Sequence, residues 1–155
     1  THSLVASVVW AMAATAACRS RPKFRVGSAA VWVGIAVFSH WILDLLVHRP
    51  DLPLYDDVMK MGFGLWNYPA VAFGLEAVLL FGGMALYLRR TTASSPLGRF
   101  GPPAFGVVMF AIQAYVFFGP PPTSPAAFAV TALLFYVVFA AVARWLDRQR
   151  LPAGA

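Results

Sequence analysis

Apolar residues gather into five long runs separated by short polar or proline-rich stretches. The runs approach the length that the hydrocarbon core of a bilayer demands of a helix, about 20 residues. They cover roughly residues 3–18, 26–48, 70–88, 104–118 and 126–143. This pattern predicts an all-α fold, a polytopic bundle of about five transmembrane helices, forming one domain over residues 1–155. The first run is Ala-rich and short for a span, but its small side chains let neighbouring helices approach closely. The second is the longest and carries the most polar residues.

The stretches between the runs are informative too. Arg19, Arg21, Lys23 and Arg25 surround Pro22 after the first run. Residues 49–68 read as a loop carrying Asp51, Asp56 and Asp57, in which Pro50, Pro53 and the following Pro69 argue against continuous helix. Leu65-Trp66-Asn67-Tyr68 reads as an interfacial aromatic anchor. The third run holds Glu76 and stops at Arg89-Arg90, after which Ser94, Ser95, Pro96, Gly98, Gly101, Pro102 and Pro103 predict a polar linker. Pro120, Pro121, Pro122 and Pro125 predict a tight turn before the fifth run, which ends in Arg144, Asp147, Arg148 and Arg150. No internal repeat is evident, so an inverted-repeat transporter has little support.

Composition sharpens this picture. Of 155 residues, 60% are hydrophobic and 12% charged, against about 45–50% and about 25% in soluble domains. An ordinary soluble globule is excluded. The net charge of +6 sits in short clusters between apolar runs, which argues against nucleic acid as a partner and for a topology signal. The loops after spans one and three carry four and three Lys or Arg residues, and the C-terminal tail three. The loop after span two carries only Arg49 and Lys60, and that after span four none. The positive-inside rule then expects the N-terminus outside and the C-terminus in the cytoplasm. Cys18 is the sole cysteine, which excludes an intramolecular disulfide and argues against a Cys-based zinc site. No Met opens the sequence, so the expectation is a processed start or missing upstream residues.

With that topology, His2, His40, His48 and Asp44 all fall toward the outer side. At about 1.5 Å per residue, Asp44 lies roughly 6 Å and His40 about 12 Å below His48, with Glu76 at roughly 10 Å and Gln113 at about 8 Å. A charged group in a span is costly, about 2.5 to 3.5 kcal/mol for Asp near the centre, so Asp44 and Glu76 need protons, cations or a metal. Residues four apart share a helix face, so His40 with Asp44, or Asp44 with His48, could grip one ion, and two ions could share Asp44. The plain alternative is a His and Asp stripe that hydrogen-bonds internally and to a neighbouring span.

A divalent ion such as Zn²⁺ held there with an open position would activate water, with Glu76 as fourth ligand or general base. Glu76 could equally neutralise His40 or Arg49. The loop residues His48, Arg49 and Asp51 read as solvated, Trp66 and Asn67 as a cover over the site or, by default for Trp, part of an aromatic belt, and Gln113 and Tyr115 as interhelical hydrogen-bond partners. A proton relay through Asp44, His40 and Glu76 finds no ionisable residue in the cytoplasmic half of any span to continue it. Phosphate-binding glycine loops, hydrolase elbows, haem-attachment and dinucleotide motifs are absent from the sequence.

Thr1-His2-Ser3-Leu4 and Ser39-His40-Trp41-Ile42-Leu43-Asp44 resemble the marks of a family of small bacterial inner-membrane proteins described as membrane-bound metal-dependent hydrolases. His48-Arg49-Pro50-Asp51-Leu52-Pro53-Leu54, Gly64-Leu65-Trp66-Asn67 and Leu75-Glu76 are similar to a recurrent pattern in one branch of it. The likeness covers roughly the first ninety residues. It implies metal ligands at His2, His40 and Asp44, a bacterial inner-membrane location and a hydrolysed substrate. The resulting expectation is a hydrolase acting on a lipid or lipid-linked ester or phosphoester, with membrane lipids as partners. The competing expectation is a non-catalytic accessory subunit of a larger membrane complex, favoured by small size and minimal loops.

Overall fold

The computed structural model describes residues 3–22, 28–122 and 124–153. It is all-α in character, with helices α1 (Leu4–Arg19), α2 (Ala29–Val47), α3 (Pro69–Arg90), α4 (Pro96–Phe118) and α5 (Pro125–Asp147). Two small antiparallel ribbons accompany them, β1 (Leu52–Tyr55) with β2 (Val58–Met61), and β3 (Thr91–Ala93) with β4 (Arg150–Pro152). Four helices, α2 to α5, are long and apolar enough to cross a membrane. The 16-residue α1 is apolar but shorter. The chain is a membrane protein. Large apolar side chains such as Leu133, Leu134 and Val137 of α5 stand more than half exposed, as expected where lipid is the solvent.

Local chemistry sets the helix starts. The hydroxyls of Ser3, Ser95 and Ser124 accept from the backbone N–H groups of Ala6, Gly98 and Ala127, filling donors that the first turn leaves unpaired. Pro96 and Pro125 sit just inside α4 and α5, where the missing N–H costs nothing.

The chain divides into two compact units, Thr1–Ala72 and Phe73–Ala155. In the first, α1 and α2 approach closely at buried Gly34. A Cβ there would collide with Thr15 Oγ1 and stand 3.0 Å from the carbonyl of Ala11. Gly34→Ala is therefore expected to cost about 1–2 kcal/mol by forcing the helices apart. Adding Thr15→Ala should recover part of that loss, and thermal melting of the two single variants and the double variant in mild detergent reads the coupling. The β1–β2 ribbon lies against α1, with Leu52 only 1% exposed.

Residues 49–68, expected as an irregular loop, thus contain an ordered hairpin. Tyr55 pairs with Val58 across two aspartates, and Asp56 takes φ 48°, a left-handed conformation that Asp tolerates. Pro53 is accommodated because the ribbon has only two strands, so a missing donor can face away from the ladder.

In the second unit, phenylalanines join α3 to α4. Phe73 stacks on Phe110 at 4.8 Å and meets Phe118 edge-on at 5.2 Å, while Phe81 meets Phe110 at 5.3 Å. Phe105 and Phe139 join α4 to α5 at 5.6 Å.

The start of α4 corrects the expected span of 104–118 and the linker before it. The helix begins at Pro96 and runs through Gly101-Pro102-Pro103. Pro102 has no N–H to give the carbonyl of Gly98 four residues back. That carbonyl instead accepts from Arg150 Nη1 at 2.6 Å. The same guanidinium donates from Nε to Thr91 Oγ1 at 2.7 Å and from Nη2 to the Thr91 carbonyl at 2.8 Å, and it lies 5.5 Å from the Tyr87 ring centre. Residues after α5 return as β4 to pair with β3, and Tyr87 donates its hydroxyl to Asp147 at 2.8 Å. A segment that reads as a charged tail therefore completes the packing of α4.

Candidate functional site

The last two turns of α2 hold the side chains singled out from the sequence. The helix is continuous through Ser39 and Asp44, so His40 and Asp44 stand one turn apart on one face. His40 Nε2 lies 3.2 Å from Asp44 Oδ2. The exposures differ sharply: the His40 side chain is 69% exposed and that of Asp44 13%. Trp41 beside them is 5% exposed and stacks on Phe38 at 6.3 Å.

The indole Nε1 of Trp41 is buried and has no hydrogen-bond partner among the described residues, and the buried Asp44 Oδ2 has the His40 imidazole at 3.2 Å as its polar neighbour, with no regular hydrogen bond. A buried carboxylate oxygen left in this state is costly, and a bound cation or polar ligand is a standard way to relieve it. A carboxylate and an imidazole are also suitable donors for a divalent metal. The pair thus fits two positions of such an ion's coordination shell.

His48 does not extend the stripe as a further helical turn. It is the C-cap of α2, with ψ 144° carrying the chain out of the helix. Its Nδ1 lies 2.9 Å from Asp51 Oδ1, and its ring sits 4.4 Å from that of Trp66. Arg49 donates from Nε to Asn67 Oδ1 at 2.8 Å. The N–H groups of Phe63 and Gly64 bond to the carbonyls of Leu45 and His48 at 2.9 and 2.7 Å, closing the end of α2.

Residues expected as a solvated surface and an aromatic belt therefore form one folded cover over the C-terminus of α2. A cover by Trp66 and Asn67 is one of the two sequence readings; the turn that seats it was missed, its signal being the pair Gly62 and Gly64, whose φ of 154° and 73° few other residues tolerate.

Glu76 lies in the second unit, where its carboxylate accepts from the Gln113 side chain, joining α3 to α4. The interhelical role read for Gln113 is thus the observed one. His2 falls outside the described residues. Among the described residues, no group of three or more His, Cys, Asp or Glu side chains is arranged to hold a metal ion. Of the expected ligands, then, His40 and Asp44 are brought together.

No protein-family model matches the chain, and neither a curated protein nor a solved structure does.

Proposed function

We propose that this is a bacterial inner-membrane protein, N-terminus outside, that binds a divalent metal ion through His40 and Asp44 with His2 as a third ligand. In this reading it hydrolyses an ester or phosphoester bond in a lipid or lipid-linked substrate. The observation that carries it is the pairing of a buried Asp44 carboxylate with the His40 imidazole at 3.2 Å on one face of α2. The unpartnered indole N–H of Trp41, on the same stretch of helix, supplies a donor suited to a ligand oxygen.

When bound, the ion would supply Lewis acidity toward the scissile group. Asp44 would contribute negative charge and His40 an imidazole nitrogen.

Protein purified in mild detergent without chelators is expected to carry near-stoichiometric metal by elemental mass spectrometry. His40→Ala and Asp44→Asn should each reduce it to background. Metal-free, well-folded wild type would sink the reading.

A second reading, an accessory subunit of a larger membrane complex, is favoured by α3. A Cβ placed at Gly74 or Gly82, two turns apart on one side of α3, would meet no atom within 4 Å, leaving room for another helix to sit closely there. A pull-down in mild detergent followed by native-gel analysis tests it, and a protein that always migrates alone counts against it.

A further inference from the structure

The first unit carries an open groove along α1 and α2, separate from the His40–Asp44 pair. Its volume is about 550 Å³, within the roughly 300–1,000 Å³ of clefts that take small molecules. Val8 and Met12 of α1 face Val31, Ile35 and Phe38 of α2 across it, and Arg19 stands at one end. The Thr15 hydroxyl in its lining is bonded back to the Ala11 carbonyl at 2.8 Å, and among the described lining residues Arg19 supplies the one cationic group. Among the described residues no carboxylate pairs with Arg19.

We infer that this groove binds one acyl chain of an anionic phospholipid, with the lipid phosphate on Arg19. The dimensions agree: from Val8 to Arg19 the groove follows about 16 Å of helix, and one leaflet contributes about 15 Å of hydrocarbon. Charge agrees as well. An apolar trough whose described lining residues offer one guanidinium at one end matches a molecule with an apolar tail and one anionic head. A partner helix laid in the same trough would have to leave that guanidinium unpaired or supply a carboxylate of its own.

The test is native mass spectrometry of the detergent-purified full chain, titrated with phosphatidylglycerol or with phosphatidylcholine of identical acyl chains. Wild type is expected to retain one phosphatidylglycerol in preference to phosphatidylcholine. Arg19→Gln should weaken phosphatidylglycerol binding about fivefold and leave phosphatidylcholine unchanged. Arg21→Gln, which alters a charge outside the groove lining, should leave that preference intact.

Ala16→Trp and Ile35→Trp fill the trough from opposite walls, and each should remove the retained lipid while circular dichroism and melting report an intact fold. Equal binding of the two lipids with no effect of Arg19→Gln would overturn the inference. So would full retention in both filled variants, or stoichiometric co-purification of another membrane protein with lipid excluded from the groove.

Discussion

Arg150→Ala is expected to destabilise the protein by about 3 kcal/mol, read as a fall of about 10 °C in the melting midpoint in mild detergent. The reason lies in α4. Its interior prolines remove helical donors, and Arg150 Nη1 bonds to the carbonyl of Gly98, the acceptor that Pro102 leaves empty. Gly98 is itself buried, so water is a poor substitute. The same side chain also ties Thr91 through its hydroxyl and its carbonyl. Removing it strands several acceptors at once, and each buried unsatisfied group costs about 1–3 kcal/mol. Arg150→Lys should recover only part of the loss, because an ammonium cannot reproduce a planar fork aimed at three acceptors. Equal stability of Arg150→Ala and wild type would show that α4 does not depend on this guanidinium.

Gly62→Ala is expected to cost about 3 kcal/mol and to release the cover over the end of α2. At φ 154° the backbone is already in a region that side chains rarely enter, and a Cβ would run into the carbonyls of His48 and Arg49. Neither obstacle is a flexible side-chain tip, so the segment must move as a whole. The hydrogen bonds from Phe63 and Gly64 to α2 should open, along with the pairing of Arg49 with Asn67. Faster amide exchange over residues 62–67, with α1 and α3 unchanged, is the expected signature. Gly74→Ala serves as the control, since its Cβ meets nothing within 4 Å.

The sequence and the structure agree most closely where lipid is the governing solvent. A segment that must satisfy its own backbone and present an apolar surface has little choice but a long apolar helix, and α2, α3 and α5 were readable for that reason. The His40 and Asp44 pairing was readable too, because four-residue spacing fixes a shared helix face.

The start of α4 was not readable. Gly101-Pro102-Pro103 carries every local signal of a helix breaker, and the compensation comes from Arg150, 52 residues away from the Gly98 carbonyl it serves. The contacts that hold the cover over α2 were hidden for a similar reason. Its order rests on His48 meeting Asp51 and Trp66, and on Arg49 meeting Asn67, contacts that spacing does not announce.

The β3–β4 ribbon bears on how the protein is made. Thr92 must wait for Leu151 as its partner, and the first turn of α4 must wait for Arg150. Both lie C-terminal to α5, so they are synthesised after the rest of the second unit's helices. During that interval α4 sits in the bilayer with an open carbonyl beside its prolines. Until β4 emerges, the first turn of α4 lacks the donor that its Gly98 carbonyl takes in the finished unit. A fusion placed directly after Asp147 would prolong this exposure, whereas one placed beyond Ala153 leaves the closing strand free to dock.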